Sequence, residues 1–187
     1  MLSIIVIASS CKKNDEVIHY VPDNLKQMTP YTNGQQLVFS SGASQVNATV
    51  SIQTSIIPLV NCIICDRYEF EENIAIKFMV GNAVFVDMFL DIRPFIFMKI
   101  KSPIDNFIIS GNFDVFVISE QVAFACSAVK HNCLPSVTIN GKQYFDVVEI
   151  TSGGIPEPNL LAKAWYSKTK GLIGFIYGSG LLYNLVD

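Results

Sequence analysis

Charge is what this sequence has least of. Asp, Glu, Lys and Arg make up 16% of its 187 residues, against about a quarter in an ordinary soluble domain. The formal net charge is −3 with no basic patch, which excludes a nucleic-acid partner. No uncharged apolar run of about 20 residues follows Cys11, so no transmembrane helix is expected after it. Also missing are a phosphate-binding glycine loop, a Gly-x-Ser-x-Gly elbow and a His-Glu-x-x-His zinc motif. The two histidines, His19 and His131, stand in polar stretches with no nucleophile in a recognisable arrangement and read as solvated side chains. There is no βαβ rhythm, no internal repeat and no low-complexity segment. No Lys or Arg precedes Cys11.

What the chain has in quantity is apolar residues: half of the sequence is hydrophobic and the mean hydropathy is +0.38. They are spread over many short segments with a period of two. Val46, Ala48, Val50, Ile52 and Ile56 alternate with Asn47, Thr49, Ser51, Gln53 and Ser55, the pattern of a strand with one buried and one wet face. Phe70 to Val80 repeats it. From Val84 to Ile100 every even position is apolar or proline. Pro94 lacks the N–H of a central ladder, so a break between two strands is expected there. Phe107 to Ser119 alternates again, with Gly111-Asn112 predicting a turn or bulge. Glu120 to Val129 is the one stretch with helical character. Asn140-Gly141 predicts a hairpin, and three short strands separated by glycines, from Leu161, Leu172 and Leu181, close the chain. The fold class predicted is all-β: an antiparallel meander of about ten strands forming a barrel, half-barrel or two-sheet sandwich.

The N-terminus is read differently. Leu2 to Ala8 is apolar, and Ala8, Ser9 and Ser10 are small residues directly before Cys11. An apolar run followed by small residues is the form of a cleaved export signal. With cysteine next, the stretch resembles a bacterial lipoprotein signal. That resemblance implies a diacylglycerol on the Cys11 thiol, with several acyl chains making a lasting anchor. The missing basic start is accounted for by a start codon upstream of Met1. The polar run Cys11-Lys12-Lys13-Asn14-Asp15-Glu16 looks like the tether of Bacteroidota lipoproteins. Near the other end, Gly141-Lys142-Gln143-Tyr144-Phe145-Asp146-Val147 and Tyr166-Ser167-Lys168, followed by Gly171-Leu172-Ile173, are similar to the last strands of uncharacterised lipoproteins of that group. The likeness implies a β-rich envelope domain and no activity. The organisation expected is a signal remnant at 1–10, a lipidated tether and lead-in at 11–34, and one β domain at 35–187, anchored to the outer membrane on its periplasmic face or at the cell surface.

With Cys11 lipidated, Cys62, Cys65, Cys126 and Cys133 remain. An even count in an oxidising compartment favours disulfides. Three connectivities are possible; the local pairs Cys62–Cys65 and Cys126–Cys133 are preferred. Zinc held by these cysteines, with His131 as a substitute ligand, fits the spacing, but an exported chain meets oxidants first, so no metal and no cofactor is expected. Thiol-redox catalysis by Cys62 and Cys65 is disfavoured because Asp66, Glu69, Glu71 and Glu72 follow and would raise the thiol pKa. Asp87 and Asp91, about 13 Å apart along a strand, stand farther apart than a glycosidase acid pair and read as an ion cluster with Arg93.

The ligand-face candidates are Phe85, Phe89, Phe95 and Phe97. They either complete a sandwich core or line a concave face that holds an apolar molecule. The expectation is a membrane-anchored, non-enzymatic binding or structural protein whose partner is a hydrophobic ligand or another envelope protein. The alternatives are a lipid carrier of half-barrel form and a thiol-redox enzyme.

Overall fold

Period-two alternation needs two layers, because each strand has one apolar face to bury. The computed structural model describes residues 15–59, 67–81, 84–92, 95–101, 108–118, 121–125, 131–152 and 157–186, with the backbone alone at 15, 67, 95–97, 108–118, 121–125 and 131. Its elements are β1 (Asp15–His19), α1 (Asp23–Gln27), β2 (Gln36–Ser41), β3 (Ser44–Thr49), β4 (Ser51–Pro58), β5 (Arg67–Val80), β6 (Val84–Leu90), β7 (Phe95–Lys101), β8 (Ile108–Ile118), β9 (Gln121–Ala125), β10 (His131–Ile139), β11 (Lys142–Thr151), β12 (Leu161–Ser167), β13 (Gly171–Tyr177) and β14 (Leu182–Val186). They form two seven-stranded sheets. One is the meander β4 to β9 with β1 added beside β5. The other runs β10-β11-β12-β13-β14-β2-β3. The sheets pack as a sandwich and do not close into a barrel.

The alternation sorts side chains as the sequence predicts. Ile76, Phe78, Val80, Val84, Val86, Met88, Leu90, Met98 and Ile100 are all buried, whereas Met79 is 50% exposed and Phe89 37%. The opposing sheet supplies Phe39, Tyr166, Leu172 and Phe175 to the core. Phe175 stacks on Tyr183 at 4.9 Å and meets Phe39 at 6.1 Å, within the separations that aromatic pairs favour.

Three details differ from expectation. The strand predicted from Val46 to Ile56 is divided at Val50, whose N–H and C=O still bond Gln35 and Gly34 beside β2 before the chain leaves to pair with β5. Residues 121–125 of the stretch read as helical form β9, paired with β8 from Asp114↔Ala125 to Ile118↔Gln121; an available ladder outweighs a weak local preference. Gly111 and Asn112 lie within β8, opposite Met98 and Phe97, and no turn forms.

The lead-in carries more of the fold than its prolines and asparagines suggest. β1 adds in parallel to β5, from Asp15↔Arg67 to His19↔Glu71. Val21 before α1, Leu25 within it and Met28 at its C-cap are all buried. Lys26 Nζ and the Val21 N–H both reach Glu72 Oε2, each at 2.9 Å. The segment is then tied to the far sheet by two buried hydroxyls. Tyr166 Oη donates to the Met28 carbonyl at 2.7 Å, and Tyr31 Oη accepts the Leu172 N–H at 2.7 Å. The folded unit therefore includes residues 15–34.

Gly171 has φ +76°, and a Cβ there would collide with the Tyr31 hydroxyl and ring. Gly141, in the Asn140-Gly141 hairpin, has φ +80° but open space around it. Gly141→Ala should cost only about 1 kcal/mol, the backbone term, whereas Gly171→Ala adds a buried collision and should cost about 2–4 kcal/mol. Urea midpoints at unchanged slope measure both; equal losses would contradict this account.

Candidate functional site

Phe85 and Phe89 lie on the outside of the sandwich. β6 turns Val84, Val86, Met88 and Leu90 into the core, so period-two geometry sends Phe85, Asp87 and Phe89 to the other face. Phe85 is half-buried and Phe89 is exposed. Phe85 stands opposite Met79 on β5 and Lys101 on β7, and Phe89 opposite Ala75 and Phe97. The backbones of Phe95 and Phe97 belong to β7; their side chains are outside the described residues. Phe85 and Phe89 do not fill the core between the sheets.

Between the rings lies Asp87, flanked in register by Lys77 and Lys99. Its Oδ1 is buried and makes no hydrogen bond among the described residues. Burial pushes the carboxyl above the ordinary aspartate range, and the attraction of Lys77 and Lys99 offsets this only in part. Lys77 Nζ lies 5.9 Å from the Phe89 centroid, inside cation–π range. The result is a surface of Met79, Phe85 and Phe89 bordered by Lys77, Lys99 and Lys101. Chemically it can hold an apolar body that carries a negative group. It contains no nucleophile beside a base.

Of the other predicted residues, those described stand away from this surface. Asp91 follows β6 and is 7% exposed; Arg93, the partner expected for its ion cluster, is outside the described residues, as are Cys11, Cys62, Cys65 and Cys126. Cys133 is exposed on β10 opposite Val148. His19 Nε2 lies 3.5 Å from Glu69 Oε2, and His131 opposes Ile150 at the start of β10. Among the described residues no group of His, Cys, Asp and Glu could hold a metal ion, and no helix is long and apolar enough to cross a membrane.

One cluster escaped the sequence. Glu149 accepts from Lys163 Nζ at 3.2 Å, Trp165 Nε1 at 3.0 Å and Asn132 Nδ2 at 3.3 Å, linking β10, β11 and β12. Trp165 is only partly buried at the margin of the core, while Phe175 and Tyr177 are buried. The signal was register: Asn132, Glu149 and Trp165 are directly paired across three strands. Comparison of the chain with protein-family models, with curated proteins and with solved structures gives no match.

Because the fold raises the affinity of Asp87 for its proton, the stability this group contributes is full below the ordinary aspartate range and is lost as pH rises through the raised value. Asp87→Asn removes that component. The unfolding midpoint of the variant relative to the native chain should therefore climb between about pH 3 and about pH 7. A difference that does not change with pH would refute the assignment.

Proposed function

We propose that this chain is a lipoprotein of the cell envelope, anchored through a lipid on Cys11 to the outer membrane, with a non-enzymatic binding or structural role. The observation that carries the reading is the apolar-small-cysteine sequence ending at Cys11, set only four residues before β1 begins at Asp15. A spacer of that length spans at most about 14 Å, so the first strand would be held close to the acyl chains. The polar run after Cys11 supplies a solvated link.

The exposed surface around Met79 and Phe89 favours one second reading, an apolar ligand with an anionic group. It would lie on the outer face of the β4–β9 sheet rather than within a half-barrel. In the same compartment Cys62, Cys65, Cys126 and Cys133 would be oxidised. Cys126 and Cys133 flank the passage from β9 to β10, where a bridge would pin the crossover between sheets.

Two measurements test this. Labelled palmitate should enter the native chain, and Cys11→Ala should abolish labelling and release the protein from membranes; retention with labelling unchanged would refute the anchor. The mature protein, alkylated without reductant, should show no reactive thiol until it is reduced. Reactive Cys62 and Cys65 before reduction would overturn the disulfides and revive the thiol-redox alternative.

A further inference from the structure

The last strand of each sheet comes from one continuous piece of chain, β3 in one and β4 in the other. Among the described residues β4 pairs only with β5. The direction of its peptide groups follows from two bonds. Leu59 N–H donates across to the Glu69 carbonyl, toward β5, at 2.9 Å. Ile52 N–H donates the other way, to Asn33 Oδ1, at 2.9 Å. Peptide groups alternate in direction along an antiparallel strand. Residues 53, 55 and 57 therefore face β5, and the N–H and C=O groups of Thr54 and Ile56 face outward.

Edges of this kind are normally blunted by charge, by a bulge or by proline. This one has neither charge nor bulge, and its proline, Pro58, stands only at its last position. From Gln27 to Cys65 the sequence has no charged residue, and the ladder from Ser51↔Lys77 to Pro58↔Phe70 runs without a register shift. Ile56 is 45% exposed and Ile57 40%. The open stretch also has defined ends: at one the Ile52 N–H is already taken by Asn33, and at the other Pro58 has no N–H to give.

Those ends match each other. If a second copy of β4 lies antiparallel across a two-fold axis at Ser55, Thr54 falls opposite the partner's Ile56, and Ile56 opposite the partner's Thr54. Each of these pairs can exchange both its hydrogen bonds. Ile52 then falls opposite the partner's Pro58, so the two positions with nothing to donate coincide. Gln53 meets the partner's Ile57, and no like charges are brought together. We propose that β4 is a self-recognition edge through which two copies of this chain join their β4–β9 sheets into one continuous sheet. The proposal goes beyond the envelope reading and does not depend on lipid attachment.

The test uses the full-length chain carrying Cys11→Ser in sedimentation velocity over a concentration series. The expected result is a dimer. Thr54→Lys with Ile56→Lys sets lysine against lysine in both pairs and should raise the dissociation constant at least about 100-fold. Thr54→Glu with Ile56→Glu should do the same, and an equal mixture of the two variants should form heterodimers. That rescue would not occur if either variant simply failed to fold. Ser55→Cys, at a self-paired position with alpha carbons about 4.5 Å apart, should cross-link on oxidation, whereas Gln53→Cys should not. A parent chain that remains monomeric up to about 1 mM, a lysine variant that dimerises undiminished, or failure of Ser55→Cys to cross-link would overturn the proposal.

Discussion

The sandwich depends on a strip of chain that belongs to neither sheet's meander. Residues 20–31 lie across one end of the core, bringing in Val21, Leu25, Met28 and Tyr31, and two tyrosine hydroxyls tie the strip to β12 and β13. Both side chains are buried, and burial pushes both hydroxyls well above the ordinary tyrosine range. They stay neutral, Tyr166 donating and Tyr31 accepting. Losing either partner would leave a main-chain group in the core without its bond, a loss of about 1–3 kcal/mol. Gly171 follows from the same constraint, since only a residue without Cβ leaves room for the Tyr31 ring.

Strand identity was legible in the sequence because alternation is a local property. Val84 to Leu90 separates its two faces by parity alone, and Pro94 marks the break before β7. Asn140-Gly141 does the same for its hairpin, where both residues have positive φ. Residues 20–31 hid because their helix is only five residues long and Pro22, Asn24 and Pro30 favour loops. Which sheet each strand joins was not legible, since pairing of β2 with β14 links positions more than 140 residues apart in sequence, such as Val38 and Val186.

The same limit explains the candidate site. Parity places Phe85 and Phe89 on one face of β6, but whether that face is core or surface is decided by which side the second sheet covers. The aliphatic row won: Val84, Val86, Met88 and Leu90 face the other sheet. The aromatic row then shares the outside with Lys77, Asp87 and Lys99. Asp87 remains partly desolvated there, because its neighbours on the ladder are bulky and its buried oxygen finds no donor among the described residues. The Glu149 cluster arises in the same way, from cross-strand register that single-strand patterns do not contain.

The parallel pairing of β1 with β5 has a mechanical consequence. A pull on the chain from its N-terminal side, directed along β1, loads the ladder from Asp15↔Arg67 to His19↔Glu71 lengthwise, so its bonds resist together rather than breaking one after another. Immediately behind that ladder the Val21 N–H is clasped by Glu72, which also holds Lys26. Force entering at Asp15 would thus meet a sheared strand and then a carboxylate latch on β5, before it reached the tyrosine hydroxyls that close the core.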